Sequence, residues 1–216
     1  MQSFCSFHRA LAAVVWLLAG IALPLQAAPE AASPVPAASG RAAPVPAAPV
    51  RVASVHAASG IAFPEVVGAF KYIGARHFEA QHPGLGSAYG YRSGFGTTAT
   101  VYVYTAGLKD IPTSVDHPSM SRLREQTKNE IRQHGQSRGA LVHQSHDGAL
   151  PIKLNNGSEV RVLFDRFEFI HGNGDNEDNM LWLWTARGHV VKIRMSDNRS
   201  TEQSLDFVKA VLALSQ

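Results

Sequence analysis

The 216-residue chain carries 20 Lys and Arg against 17 Asp and Glu, which gives a formal net charge of +3. This mild basicity, without a run of Lys and Arg, argues against a nucleic-acid-binding surface or a polybasic membrane-binding segment. Cys5 is the only cysteine. The chain can therefore form no internal disulfide, and loss of its first residues would also remove its one thiol nucleophile and its one cysteine metal ligand.

Residues 1–27 are typical of a cleaved export signal. His8 and Arg9 supply a basic start, residues 10–23 supply an apolar core, and Pro24 ends the helix before small residues that suit a signal peptidase. We expect cleavage after Ala27 and a periplasmic location. An uncleaved signal would instead anchor the chain in the inner membrane, facing the periplasm, because a membrane span needs about 20 residues.

Residues 28–59 consist almost entirely of Ala, Pro, Val and Ser, and Pro34–Ala38 recurs as Pro44–Ala48. Such a composition cannot bury enough apolar surface to fold, so it predicts a disordered linker. The X-Pro steps favour extended polyproline II backbone. We interpret the segment as a spacer; a ligand for an aromatic-lined groove is the alternative. A single α+β domain is then expected over residues 60–216.

The first half of this domain predicts three strands and a helix. The strands are expected at residues 66–77, 87–91 and 97–104, and the glycines of segment 92–96 suit a hairpin between the last two. Asp116 can cap a charged helix that has Pro118 in its first turn and ends at Gly135 or Gly139.

The second half predicts four strands and a final helix. The strands are expected at residues 141–146, 159–170, 180–186 and 189–195, and a capping box at Ser200 starts the last helix. The change of apolar parity within residues 159–170 predicts a β-bulge near Asp165 and Arg166. Residues 180–184 are apolar on both faces, which indicates a central strand. Together these elements predict an α+β fold, with an antiparallel sheet of about six to seven strands flanked by two main helices in the order βββ-α-ββββ-α.

Four tyrosines are the candidate binding residues. Tyr89 and Tyr91 share one face of their predicted strand, and Tyr102 and Tyr104 share one face of the next. If the register aligns them, the four phenols form a patch that could stack a small aromatic or sugar-like ligand. The alternative is that they are half-buried cross-strand pairs beneath a helix.

Three carboxylates are the candidate metal ligands. Asp175, Glu177 and Asp178 belong to an acidic segment, residues 171–179, that is rich in the oxygen ligands preferred by Ca²⁺. The segment lacks the EF-hand order of ligands, so a solvated hairpin loop is the alternative. The sequence has no Gly-x-Ser-x-Gly motif and no histidine pair at zinc-binding helical spacing, and we expect neither catalysis nor a cofactor.

Three short motifs carry a resemblance to other proteins. They are Phe63-Pro64, Tyr89-x-Tyr91, and Val101-Tyr102-Val103-Tyr104 ahead of a charged helix. Together they resemble a group of uncharacterised exported bacterial proteins, and the order of strands and helices is similar to the PsbP-like fold. The resemblance covers residues 60–216 and implies a central antiparallel sheet with helices on both sides. It also implies a non-enzymatic accessory or binding role, with no functional residue to carry over.

These observations predict an exported, non-catalytic accessory or binding protein on a flexible stalk. Its partner is expected to be a periplasmic or envelope protein or a small ligand, with no role for nucleic acid, and with membrane contact only if the signal is uncleaved. A metal-dependent periplasmic hydrolase that uses the acidic segment is one alternative. A toxin-neutralising immunity protein is another.

Overall fold

Ten strands and two helices form the part of the chain that the structure describes. The computed structural model describes residues 50–196 and 201–216, so the expected export signal and most of the expected linker lie outside it. The strands are β1 Val52–Val55, β2 Ala62–Pro64, β3 Val66–Val67, β4 Phe70–His77, β5 Ser87–Ser93, β6 Thr98–Tyr104, β7 Leu141–Lys153, β8 Glu159–Ile170, β9 Asn176–Ala186 and β10 His189–Ser196. The helices are α1 Pro118–Ser137 and α2 Thr201–Ser215.

Eight of the strands form one antiparallel sheet in the order β3-β4-β5-β6-β10-β9-β8-β7, while β1 and β2 pair separately. The sheet is thus two meanders joined where β6 pairs with β10. The predicted α+β class, with a large antiparallel sheet and two helices, is confirmed. The strand count is higher than expected because six strands, not three, precede α1.

The two helices cover opposite faces of the sheet. Phe207 of α2 packs against Tyr91, with ring centroids 5.1 Å apart, on what we call the α2 face. Ile131 of α1 belongs to a second buried cluster with Phe167, Phe169 and Leu181, on the α1 face. Residues 180–184 of β9 are buried on both faces, as predicted for a central strand. Among the described residues, no helix has the length and apolar character to cross a membrane.

A strand already lies before the expected domain boundary at Gly60. Strand β1 lies inside the segment that was predicted as linker, and it pairs with β2. The turn between them is closed by the ring of His56, whose Nδ1 lies 2.8 Å from Ser59 Oγ. The single strand expected over residues 66–77 is divided into β3 and β4 by a turn at Gly68, whose φ of 57° suits glycine.

The first turn of α1 also differs from the prediction. The N-cap is His117, not Asp116, because the His117 side chain accepts a hydrogen bond from the backbone N–H of Ser119. Asp116 instead accepts a hydrogen bond from Arg161 at 3.2 Å. Ser200, the expected cap of α2, lies outside the described residues.

The irregularity expected in β8 lies in its neighbour. The β7–β8 register shifts between Gln144 and His146, opposite Arg166 and Phe167, while β8 and β9 pair without a break. Strand β8 needs no bulge because both of its faces are buried: Phe164 stacks on Trp182 on the α2 face, and Phe167 packs with α1. The apolar residues of β8 occupy both even and odd positions because both faces of this strand are buried.

Candidate functional site

Tyr89 and Tyr91 are core residues on the α2 face. Both are fully buried. The Tyr89 ring stacks on Phe63 with centroids 3.7 Å apart, and the Tyr91 hydroxyl donates a hydrogen bond to the backbone oxygen of Pro64 at 3.0 Å. Burial raises the pKa of Tyr91, and the nearby Tyr72 raises it further. This pair stabilises the domain and cannot reach a ligand in solution.

Tyr102 and Tyr104 lie on the opposite, α1 face. Tyr89 is paired with Val101, and Tyr102 is paired with Ala88, so the register places the two tyrosine pairs one residue out of phase. Since successive side chains in a strand alternate between faces, this offset separates the pairs completely. The expected patch of four phenols therefore does not form, and only Tyr102, which is half-buried, remains open to solvent.

The acidic segment also does not gather its carboxylates. Asp178 is held by Arg166 through two hydrogen bonds of 2.9 and 2.7 Å, and Glu177 is held by Arg138 at 2.8 Å. Asp175 accepts a hydrogen bond from the side chain of Asn173 in an exposed turn. Within the described parts of the chain, no group of three His, Cys, Asp or Glu side chains is arranged to hold a metal ion.

The open part of the α1 face is lined by cations. Cross-strand pairs place Thr100 beside Arg194, and Tyr102 beside Lys192. The outer strands add Arg76 and Arg92, which occupy the same face and are exposed. We call the surface formed by these six side chains the basic face. Helix α1 packs on β7 and β8 and so borders this surface.

Lys192 is the central residue of the basic face. Its ammonium lies 4.7 Å from the ring centroid of Tyr102 and 5.3 Å from that of Tyr104, which are distances typical of cation–π contacts. Burial lowers the pKa of Lys192 to about 8; Glu130 of α1 opposes this shift and Arg194 adds to it. The ammonium is thus still the main form at pH 7, but it loses its proton more easily than an ordinary lysine does.

Arg194 provides a second positive charge on the basic face, two residues after Lys192 in β10. No carboxylate of the described residues lies within 4.0 Å of either Arg194 or Lys192 as an ion-pair partner. Burial raises the pKa of Tyr102, while Arg194 and Arg76 oppose the shift, so the hydroxyl stays protonated and can donate a hydrogen bond. Burial also lowers the pKa of His134 in α1, and Arg194 lowers it further. Two neighbouring cations and a hydroxyl donor make a surface that favours an anion.

A surface groove of ≈ 890 Å³ adjoins the basic face at Thr98. Its other side is formed by the β8–β9 loop and the end of α1, where Arg138 binds Glu177. His171 lies 3.9 Å from the same carboxylate. The groove is therefore polar. It continues from the basic face to the acidic segment, whose carboxylates were predicted as metal ligands.

A second polar cluster surrounds Tyr89 near the β1–β2 hairpin. The rings of His56 and His189 are 5.0 Å apart, and His77 lies with its ring 6.3 Å from that of Tyr89. Burial lowers the pKa of His56, and His189 and His77 lower it further. Each ring has a hydrogen-bond partner: Ser59 for His56, Ser87 for His77, and the backbone oxygen of Arg187 for His189. This arrangement ties the hairpin to the sheet and has no metal-binding geometry.

Lys192 and Arg194 were not singled out from the sequence. The signal was present in β10, where Val191, Ile193 and Met195 alternate with Lys192 and Arg194. Buried residues on one parity and cations on the other predict one core face and one basic face. The tyrosines were predicted as binding residues because aromatic side chains are common in ligand sites, but aromatic side chains are equally common in protein cores.

Comparisons with known proteins give a likeness of structure but not of sequence. No protein-family model matches the sequence, and no curated protein matches it. The structure is similar to the solution structure of cyanobacterial PsbP (CyanoP) from Synechocystis sp. PCC 6803, with 12% identity and a TM-score of 0.44 over 82% of this chain and 96% of that one. The expected resemblance to the PsbP-like fold agrees with this likeness, which concerns the fold alone.

Proposed function

We propose that the protein is an exported, non-catalytic binding protein of the periplasm that holds an anionic group on its basic face. The observation that carries this proposal is the pair Lys192 and Arg194, neighbours on one sheet face that have no carboxylate partner within 4.0 Å among the described residues. Two like charges held side by side at a half-buried surface repel each other, and a bound anion relieves that repulsion.

The anion fits a carboxylate or phosphate attached to a flat ring. The Arg194 guanidinium can donate two parallel hydrogen bonds to such a group, and the Tyr102 hydroxyl can donate another. The exposed part of the Tyr102 ring offers a surface for stacking. A small aromatic anion, or an acidic group of an envelope protein, meets these requirements, and an accessory role on a stalk does not require catalysis.

Calorimetric titration with pyridoxine 5′-phosphate tests the binding role. This probe carries a phosphate on an aromatic ring and has no reactive carbonyl. We expect binding that weakens with salt, and Arg194→Gln to weaken it by roughly tenfold or more, because a charge-assisted hydrogen bond contributes about 1.5–3 kcal/mol. Arg161→Gln, at an exposed arginine paired with Asp116 outside the basic face, is the matched control. Equal binding of neutral pyridoxine, or no effect of Arg194→Gln, would contradict the proposal.

Export is tested on the protein recovered from cells. Mass spectrometry of the chain from the periplasmic fraction is expected to show Ala28 as the first residue, because the small residues before it suit a signal peptidase. An intact amino terminus in the membrane fraction would replace the periplasmic proposal with an anchored one.

A further inference from the structure

Lys192 differs from the buried Lys128 in its surroundings. Lys128 of α1 is paired with Glu125 and Asp147, each at 2.7 Å, which fixes its charge. Lys192 faces the rings of Tyr102 and Tyr104 and lies in the same strand face as Arg194. Its ammonium therefore gains cation–π attraction but has no carboxylate ion pair within 4.0 Å among the described residues.

Burial and the neighbouring Arg194 leave an unusual share of the amine unprotonated, although Glu130 of α1 opposes this effect. With the pKa of Lys192 at about 8, about a tenth of the amine is neutral at pH 7, whereas an ordinary lysine of pKa ~10.4 is neutral in fewer than about one molecule in a thousand. The residue is half-buried on the basic face, so part of its side chain meets solvent. A neutral, partly desolvated amine is the form of lysine that attacks a carbonyl carbon.

We propose that Lys192 condenses with small anionic aldehydes or ketones held on the basic face, forming an imine. This inference rests on the proposed function, because Arg194 and the Tyr102 hydroxyl supply the contacts for the anionic group. It adds a covalent attachment site to a surface that otherwise binds its ligand through noncovalent contacts alone.

The reaction balances without a further reactant. The lone pair of neutral Lys192 Nζ forms a bond to the carbonyl carbon as the C=O π bond breaks, and one proton passes from that nitrogen to the oxygen through solvent to give a carbinolamine. The hydroxyl then takes a second proton from solvent, the C–O bond breaks and water leaves. The nitrogen lone pair forms the C=N bond, and the nitrogen returns its remaining proton to solvent. No group is oxidised or reduced, and water reverses the attachment.

Pyridoxal 5′-phosphate, the aldehyde counterpart of the non-reactive probe, tests the inference. The whole protein is treated at pH 7.5, the imine is trapped by borohydride reduction, and the labelled peptides are quantified by mass spectrometry. We expect Lys192 to be labelled at least tenfold faster than the exposed lysines Lys109 and Lys153, and Lys192→Met to lose only the fast label. Equal labelling of the three lysines would overturn the inference.

Two further arms separate this inference from the proposed function. If pyridoxine 5′-phosphate binds but pyridoxal 5′-phosphate gives no adduct at Lys192, the amine inference fails and the anion-binding role stands. If pyridoxal without phosphate labels Lys192 as fast, and pyridoxine 5′-phosphate gives no protection, the amine is reactive and the anion-binding role fails. The two processes also differ in pH dependence: labelling should rise from pH 6 to 8, whereas binding of the phosphate should fall above pH 8 as the ammonium loses its charge.

Discussion

Lys192 shows how one side chain couples burial to charge. Its pKa of about 8 in the folded protein lies below the ordinary value of ~10.4 that it regains on unfolding. Between these two values the unfolded chain binds more protons than the folded chain, so the free energy of unfolding rises with pH across this window. Below pH 8 both states are charged and the cost of burying the ammonium is fully present.

Replacing Lys192 with methionine should remove this pH dependence. Between pH 7.5 and 10, the free energy of unfolding of the wild-type protein is expected to rise by about 1–2 kcal/mol relative to that of Lys192→Met. The rise is smaller than the full pKa shift would give, because the side chain is partly exposed. Urea unfolding at both pH values measures the difference, and Lys71→Met, at an exposed lysine, is the control. If the difference in free energy of unfolding between the wild type and Lys192→Met were the same at both pH values, the pKa of Lys192 would not be lowered.

Gly135 sets how closely α1 approaches the sheet. A Cβ at this position would overlap with Val142 Cγ2 and would lie 3.1 Å from Phe169 Cζ. Alanine usually stabilises a helix by up to about 1 kcal/mol relative to glycine. Here we expect Gly135→Ala to destabilise the protein by about 1–3 kcal/mol, because the core must be forced apart. Thermal unfolding measures the sign, with Gln136→Ala on the exposed side as the control; a stabilised Gly135→Ala would contradict this packing.

At the scale of elements, α1 is held to β7 and β8 by charge as well as by apolar contact. Asp165 is fully buried and receives two hydrogen bonds of 2.8 Å from Arg124 and one of 3.0 Å from Gln144. Lys128 and Asp147 complete the network at its outer edge. Every member has a partner, so the network orients the helix that borders the basic face.

Removing one charge from this network should lower the free energy of unfolding. We expect Asp165→Asn to destabilise the protein by about 3–5 kcal/mol, since it leaves Arg124 desolvated without its main counter-charge. Asp175→Asn in the exposed β8–β9 loop should change the free energy of unfolding by less than about 0.5 kcal/mol. Urea unfolding of both variants is the measurement, and equal stabilities would mean that the network contributes little.

The sequence predicted the individual strands better than it predicted how the strands pair and which faces they bury. The alternation in residues 97–104 and the apolar run at 180–184 located β6 and β9, because strand parity and burial are local properties. Whether Tyr89 faces Val101 or Tyr102 depends on hairpin register, and that is set by the turn and by packing across the sheet. The same limit explains β8, where apolar residues on both parities reflect the helices above and below it, and the extra residue falls in β7 instead.

At the scale of the whole molecule, the two faces of one sheet have different tasks. The α2 face is filled by the large core that includes Tyr89, Tyr91 and Trp184. The α1 face is covered over β7 and β8 and presents cations over β6 and β10. A stiff sheet that is packed on one side can hold Lys192 and Arg194 at fixed spacing on the other, which is what a preorganised binding surface requires.

The central claim is that an anion binds at the basic face and not elsewhere. Backbone amide NMR of the ¹⁵N-labelled protein, titrated with pyridoxine 5′-phosphate, reports where the probe binds. We expect saturable shifts at Tyr102, Lys192 and Arg194, and no shifts in the buried residues Tyr91 and Phe207 of the α2 face. Shifts confined to other surfaces, or no saturable shift at all, would contradict the account.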